Sequence, residues 1–160
     1  MADIVLLDTS VFLNVLNIPG FNQHGDRILR EFERRIQKQD HFLLPMATIW
    51  ETGNHIAHLP DGRLRRACAE KLVKAVSDAF EGVAPFRPTY FPEAETFMAW
   101  LRDFPEHAQR NKPPDKLKEG VSLADLSIIK ECERTRGLNR ERKVIIWSLD
   151  SDLAAWGDAG

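Results

Sequence analysis

The sequence predicts an α/β fold with a mainly parallel central sheet. Residues 4–7 and 143–147 are short, largely apolar segments rich in β-branched side chains, which is typical of strands buried in a parallel sheet. A third short segment, His41–Leu44, ends at Pro45. Stretches with apolar residues at helical spacing lie between these strands. Such alternation of buried strands and helices indicates a parallel α/β architecture.

The composition is that of a globular protein. The 160 residues are 43% hydrophobic and 29% charged, so we expect one domain spanning residues 1–160. The net charge of −2 gives no overall basic field, and any nucleic-acid surface must therefore be local. Cys68 and Cys132 stand apart without a CxxC pair, which favours buried thiols in a reducing cytoplasm. We find no membrane-span-length apolar run and no signal-peptide pattern, and expect a cytoplasmic protein without membrane contact.

Helices are predicted after the first strand, with Thr9 or Ser10 as the cap, and at the end of the chain. Others are predicted over residues 26–39, 48–59, 63–80, 93–104 and 122–136. Residues 82–92 contain three prolines and are predicted to be a loop, and residues 105–120 to be the least ordered part. Core positions are expected at Trp50, Phe97, Trp100, Leu101 and Phe104.

Four acidic residues occupy comparable positions in this pattern. Asp8 and Asp150 follow the first and last strands, so neighbouring strands would project both carboxylates into one crevice. Glu51 and Asp125 lie near the starts of helices. Converging carboxylates repel one another and need a cation, and oxygen-only donors favour Mg²⁺ or Mn²⁺ over Zn²⁺. Because such ions activate water and stabilise charge on a phosphodiester, the pattern predicts a metal-dependent nuclease.

Four short motifs follow one another along the chain. They are Asp8-Thr9-Ser10, Ala47-Thr48-Ile49-Trp50-Glu51, Leu123-Ala124-Asp125 and Ser148-Leu149-Asp150-Ser151-Asp152-Leu153. In order, spacing and strand or helix context they resemble the PIN domain family, and within it the VapC-like toxin ribonucleases. The resemblance implies a three-layer α/β/α PIN-like fold with a mainly parallel central sheet. It also implies cleavage of RNA with Mg²⁺ or Mn²⁺, a homodimer and an antitoxin partner.

The resemblance also assigns roles to individual residues. It implies that Asp8, Asp125 and Asp150 hold the ion, and that Glu51 and Asp152 complete its shell or position water. Ser10 and Ser148 are expected to orient Asp8 and Asp150 by hydrogen bonds. Asp125 has a structural alternative, because Ser122-x-x-Asp125 matches a capping box.

Basic residues near the predicted site have two interpretations. Phosphates could be bound by Arg110, Lys112, Lys116 and Lys118, or these residues could belong to a solvated loop. A second cluster, with the same two interpretations, is formed by Arg134, Arg136, Arg140 and Arg142.

Three other functions stay open. A helix face carrying Glu51, His55 and His58 could bind Zn²⁺, although its ends are over ~10 Å apart. A metal-dependent phosphatase or phosphotransfer domain also uses an aspartate after the first strand. Its usual pattern there is Asp-x-Asp, whereas this chain has Asp8-Thr9-Ser10. The third is a non-catalytic PIN scaffold that binds RNA or protein.

Overall fold

Strands and helices alternate along the chain, in agreement with the predicted α/β fold. The structure, a computed structural model, describes residues 1–110 and 120–158. The strands are β1 (Ile4–Leu7), β2 (His41–Leu44), β3 (Phe86–Pro88) and β4 (Val144–Trp147). The helices are α1 (Thr9–Val15), α2 (Gly25–Gln37), α3 (Met46–Ala57), α4 (Gly62–Glu81), α5 (Ala94–Gln109), α6 (Leu123–Leu138) and α7 (Ser151–Asp158).

The sheet places β1 between two parallel neighbours. Its strand order is β3-β2-β1-β4, and each pair in it runs parallel. Leu6 lies opposite Leu43 of β2 and Ile146 of β4, and Leu7 lies opposite Trp147. Parallel strands end at the same edge of a sheet, so the residues after β1 and β4 lie side by side.

Helices cover both faces of the sheet, which confirms the predicted three layers. Successive side chains of a strand point to opposite faces. Val5 and Leu7 of β1 therefore pack with residues of α1, α2 and α4, whereas Ile4 and Leu6 pack with residues of α6 and α7 and the start of α3. All four residues of β1 are buried, as its uninterrupted apolar sequence predicts.

Strand β3 corrects the prediction of a loop over residues 82–92. It has three residues and pairs with β2 at the edge of the sheet. A proline is tolerated there because the outer side of an edge strand forms no ladder bonds. The three prolines of this segment conceal the strand in the sequence.

Helix α5 also differs from its prediction. It continues to Gln109 through Pro105, so the segment predicted to be least ordered begins as helix. None of its residues is buried; Phe97 is exposed, and Trp100, Leu101 and Phe104 are half-buried. The reason is that α5 packs mainly beside α6 rather than on the sheet.

Trp50 does not lie in the core, contrary to its prediction, because its side chain is 65% exposed. Thr48 and Thr52 are fully buried on the opposite side of α3, and this side faces the core. The two cysteines are buried and unpaired, as predicted. Within residues 1–110 and 120–158, no helix has the length and apolar character needed to cross a membrane.

Candidate metal centre

Three of the predicted acids meet where β1 ends. Asp8, Glu51 and Asp125 each offer one carboxylate oxygen, and these oxygens lie within 4.8 Å of one another. Asp8 is 6% exposed, and the other two are half-buried. Three hard oxygen donors at this spacing match the preferences of Mg²⁺ or Mn²⁺. We call these three residues the acidic trio.

Asp8 is held by two serine hydroxyls. Its Oδ2 accepts hydrogen bonds from Ser148 Oγ at 2.6 Å and Ser10 Oγ at 3.0 Å. The serines are in turn tied to the segment after β4, because Ser10 Oγ accepts from the N–H of Leu149 and Ser148 Oγ accepts from the N–H of Asp150. The pairing of β1 with β4 thus fixes the orientation of the Asp8 carboxylate.

Glu51 is positioned by a residue that sequence reasoning assigned to another role. Helix α1 begins at Thr9, so neither Thr9 nor Ser10 is its cap, contrary to the prediction. The buried Thr9 instead donates from Oγ1 to Glu51 Oε1 at 3.1 Å. Thr48 anchors the start of α3 by donating to the main-chain oxygen of Leu7 at 2.7 Å. The sequence feature that could have indicated this contact is the Thr9 hydroxyl in the motif Asp8-Thr9-Ser10.

Asp125 contributes both to the start of α6 and to the acidic trio. Ser122 is the N-cap of α6, and its Oγ accepts from the N–H of Asp125 at 3.1 Å. This contact is the first half of the predicted capping box. It uses the backbone of Asp125 and is therefore compatible with a carboxylate in the acidic trio.

Solved structures resemble the whole architecture. Two of them are FitAcB from Neisseria gonorrhoeae and FitAB bound to an IR36 DNA fragment. Each matches with a TM-score of 0.59 and 19% identity over 96% of this chain, covering 93% and 90% of the respective neighbour. The chain has a PIN-like fold. At this identity the likeness establishes the fold alone, and no family model or curated protein matches the sequence.

The last two predicted acids lie beside the acidic trio in this PIN-like fold but are not members of it. Asp150 Oδ1 accepts the N–H of Asp152 at 2.9 Å, at the start of α7. Asp152 is half-buried, and its Oδ2 has no hydrogen-bond partner among the described residues. Asp150 remains linked to the trio through Ser148.

The other predicted groups have different surroundings. Arg110 is exposed and forms an ion pair with Glu106 at 2.5 Å, whereas Lys112, Lys116 and Lys118 lie outside the described residues. The zinc alternative gains no support, because the histidines are not members of a metal-binding group in the described ranges. His55 packs against Phe21, and His58 Nδ1 lies 2.7 Å from the main-chain oxygen of Asn54.

Proposed function

We propose that this protein is a divalent-metal-dependent endoribonuclease that cleaves RNA phosphodiester bonds. The observation that carries the proposal is the acidic trio, which lies at the carboxyl edge of the sheet in a PIN-like fold. This edge is where open α/β sheets bind their ligands. Three carboxylates that converge in one crevice repel one another, and a cation offsets this repulsion.

Asp8, Glu51 and Asp125 would hold Mg²⁺ or Mn²⁺, with Asp150 and Asp152 as the further carboxylates of the site. When bound, such an ion supplies a nucleophilic water and neutralises charge that develops on the phosphodiester. Asp8 Oδ2 already accepts two hydroxyls, so Oδ1 is the oxygen we assign to the metal. Glu51 is restrained through Oε1 by Thr9.

These restraints are the chain's own contribution to the reaction. Hydrogen bonds from Ser10, Ser148 and Thr9 hold two carboxylates in place within the protein itself. Ligands that are oriented in advance lose little freedom on binding, and such supporting contacts typically change metal affinity by about 10- to 100-fold. The serines are therefore positioning residues rather than nucleophiles, since both hydroxyls bond to Asp8 and neither bonds to a histidine base within residues 1–110 and 120–158.

We further propose that the nuclease is the toxin of a toxin–antitoxin pair, acts as a homodimer and binds an antitoxin protein. The four motifs support this proposal, and the likeness to the FitAB structures is consistent with it. The net charge of −2 requires that RNA bind through a local surface.

The test is cleavage of a structured RNA pool by the full chain with Mn²⁺, with EDTA and with the Asp8→Asn variant. We expect cleavage only with the metal and an intact Asp8. Asp26→Asn, which changes an acid in the first turn of α2, is the matched control and should cleave like the wild type. Full activity of a folded Asp8→Asn variant would overturn the assignment. Tight Mn²⁺ binding without cleavage of RNA or single-stranded DNA would instead support a non-catalytic scaffold.

A further inference from the structure

A cavity of about 610 Å³ adjoins the acidic trio. It lies between α3, the segment after β3, α5 and α6, and Glu51 of the trio forms part of its wall. Its volume is within the range of small-molecule sites. The shared glutamate makes the cavity continuous with the place where we propose that a phosphodiester binds.

Five aromatic side chains line this cavity. Trp50, Tyr90 and Phe91 are 65%, 83% and 61% exposed, and all three line it together with Phe97 and Trp100. Trp50 and Phe91 form a ring pair with centroids 6.4 Å apart. Exposed rings gathered at one opening mark a binding site, and single-stranded nucleic acids stack their bases on such rings.

A second acidic side chain, besides Glu51, lies in the wall of the cavity. Glu131 lines the cavity and is only 7% exposed. No hydrogen bond or ion pair to its carboxylate occurs within residues 1–110 and 120–158, where Glu131 accepts only through its main-chain oxygen. Burial raises the pKa of Glu131, and the charge of Arg134 opposes this effect. A largely buried carboxylate without a partner in the protein needs donors from water or from a ligand in the cavity.

Helix α6 connects this glutamate to the acidic trio. Ala124, Ser127 and Glu131 all line the cavity and have the i, i+3, i+7 spacing of one helix face. Ala124 directly precedes Asp125. At a rise of about 1.5 Å per residue, Glu131 lies roughly 9 Å further along the helix than Asp125. This separation is on the scale of one nucleotide.

We propose that the cavity is a guanine subsite, in which the aromatic walls stack the base and Glu131 accepts its N1–H and N2–H. The inference rests on the proposed ribonuclease function for the origin of the base. Guanine is the RNA base whose pairing edge presents two neighbouring donors. Uracil offers one N–H between two acceptors, and adenine and cytosine each place an acceptor beside their amino group. A carboxylate satisfies the guanine edge with both oxygens.

A protein segment is a weaker candidate for this cavity. An apolar segment, from a partner or a second copy, would cover the rings but leave Glu131 without donors. An arginine side chain would satisfy Glu131, yet its guanidinium covers much less of the aromatic wall than a purine does. A base meets both requirements and extends from a phosphate beside Glu51.

The experiment is an NMR titration of the full chain with GMP, AMP, CMP and UMP in EDTA, following the tryptophan indole signals. We expect GMP to shift signals of Trp50 and Trp100 and to bind more tightly than the other three nucleotides. Glu131→Gln should weaken GMP binding by about tenfold or more, because one strong acceptor becomes a donor. The matched control Glu133→Gln, on an exposed position of the same helix, should bind like the wild type.

Variants of Trp50 separate stacking from a general effect on the fold. Trp50→Ala should weaken GMP binding, and Trp50→Phe should restore part of it. Equal binding of all four nucleotides, or a preference for adenine or cytosine, would overturn the assignment to guanine. Methylguanidinium that shifts the same signals through Glu131, when GMP does not, would show an arginine site. A dimer lost in Trp50→Ala, without any nucleotide response, would show that a second copy covers the cavity.

The outcome is independent of the proposed cleavage. The GMP titration is carried out in EDTA and needs no metal, so its result does not depend on cleavage. GMP binding by a chain that never cleaves RNA would leave the subsite in place and remove the nuclease. Metal-dependent cleavage by a chain that does not bind GMP would support the nuclease function and overturn the guanine subsite.

Discussion

Ser148 provides the sharpest residue-scale test of how the acidic trio is held. Ser148→Ala removes the 2.6 Å hydrogen bond to Asp8 and the acceptor for the N–H of Asp150. We expect Mn²⁺ affinity to fall by about tenfold, since contacts of this kind orient metal ligands. Calorimetric titration with Mn²⁺ measures this loss. Ser77→Ala, at an exposed position of α4, is the control, and equal affinities of the two variants would contradict a positioning role.

Asp150 can be assigned by comparing two substitutions. Asn is as good a helix cap as Asp, so Asp150→Asn keeps the contact to the N–H of Asp152 and changes only the charge. We expect this variant to bind Mn²⁺ more weakly than the wild type but better than Asp8→Asn. Asp150→Ala should in addition lose about 1 kcal/mol in free energy of unfolding. Unchanged Mn²⁺ affinity in Asp150→Asn would leave Asp150 with the capping role alone.

Residue types and spacing were sufficient to find the acidic trio, but not the contacts that support it. Asp8 follows the end of β1, and Glu51 and Asp125 lie in the first halves of α3 and α6. The bond from Thr9 to Glu51 depends on how α1 and α3 pack, and this packing leaves no local pattern. Basic residues were similarly ambiguous. Arg142 donates to the main-chain oxygens of Ala2 and Asp3, and Arg136 donates to that of Val144, so both are bonded within the fold.

At the scale of elements, the packing of α7 on β4 depends on one glycine. Gly157 is buried, and a Cβ at this position would overlap the backbone nitrogen of Ile146. We expect Gly157→Ala to lower the free energy of unfolding by about 1–3 kcal/mol, because backbone atoms must move apart. Urea unfolding measures the change.

Gly137→Ala is the matched control for this prediction. Gly137 lies in α6, and a Cβ there has no neighbour within 4 Å. Alanine is the better helix former, so this substitution should be neutral or stabilise by up to about 1 kcal/mol. Equal stability of the two alanine variants would contradict the close approach of α7 to β4.

The elements that the sequence predicted best are those whose burial is periodic or complete. β1 and β4 are continuous apolar runs, and α2 and α4 lie within two residues of their predicted bounds. β3 and α5 were predicted poorly because each contains a proline. Proline lacks an N–H and disfavours the interiors of strands and helices, but the surroundings of these two elements accommodate it. Pro88 is accommodated by an outer strand, and Pro105 by a helix on the outside of the molecule.

On the scale of the whole molecule, the acidic residues at the two edges of the sheet have different surroundings. Carboxylates converge at the carboxyl edge, whereas at the amino edge Asp40 forms ion pairs with Arg35 and Lys38. Asp40 precedes β2 at the amino edge, with a side chain that is fully buried. The sequence does not reveal this separation, because paired and converging acids look alike in composition. It arises from the strand order of the sheet. The sequence predicted a mainly parallel sheet but not the order of its strands.

Asp40 should make stability depend on acid without affecting the candidate site. Burial alone would raise the pKa of Asp40, but the N–H of Asp3, Arg35 and Lys38 together hold that pKa below its usual value. The unfolded chain therefore binds the proton more readily. The stabilisation from Asp40 is present above the unfolded pKa of about 3.9 and is lost as the pH falls through the lower folded value.

Asp40→Asn removes this titration. We expect the variant to be less stable by about 1–2 kcal/mol near neutral pH, because Arg35 and Lys38 lose their charged partner, and to lose less of its stability between about pH 5 and pH 3. Urea unfolding across this range measures both effects, with Asp26→Asn as the control. Mn²⁺ affinity near neutral pH should equal that of the wild type, since the acidic trio lies at the opposite edge of the sheet. A parallel loss of stability in variant and wild type would show that Asp40 does not carry the acid dependence.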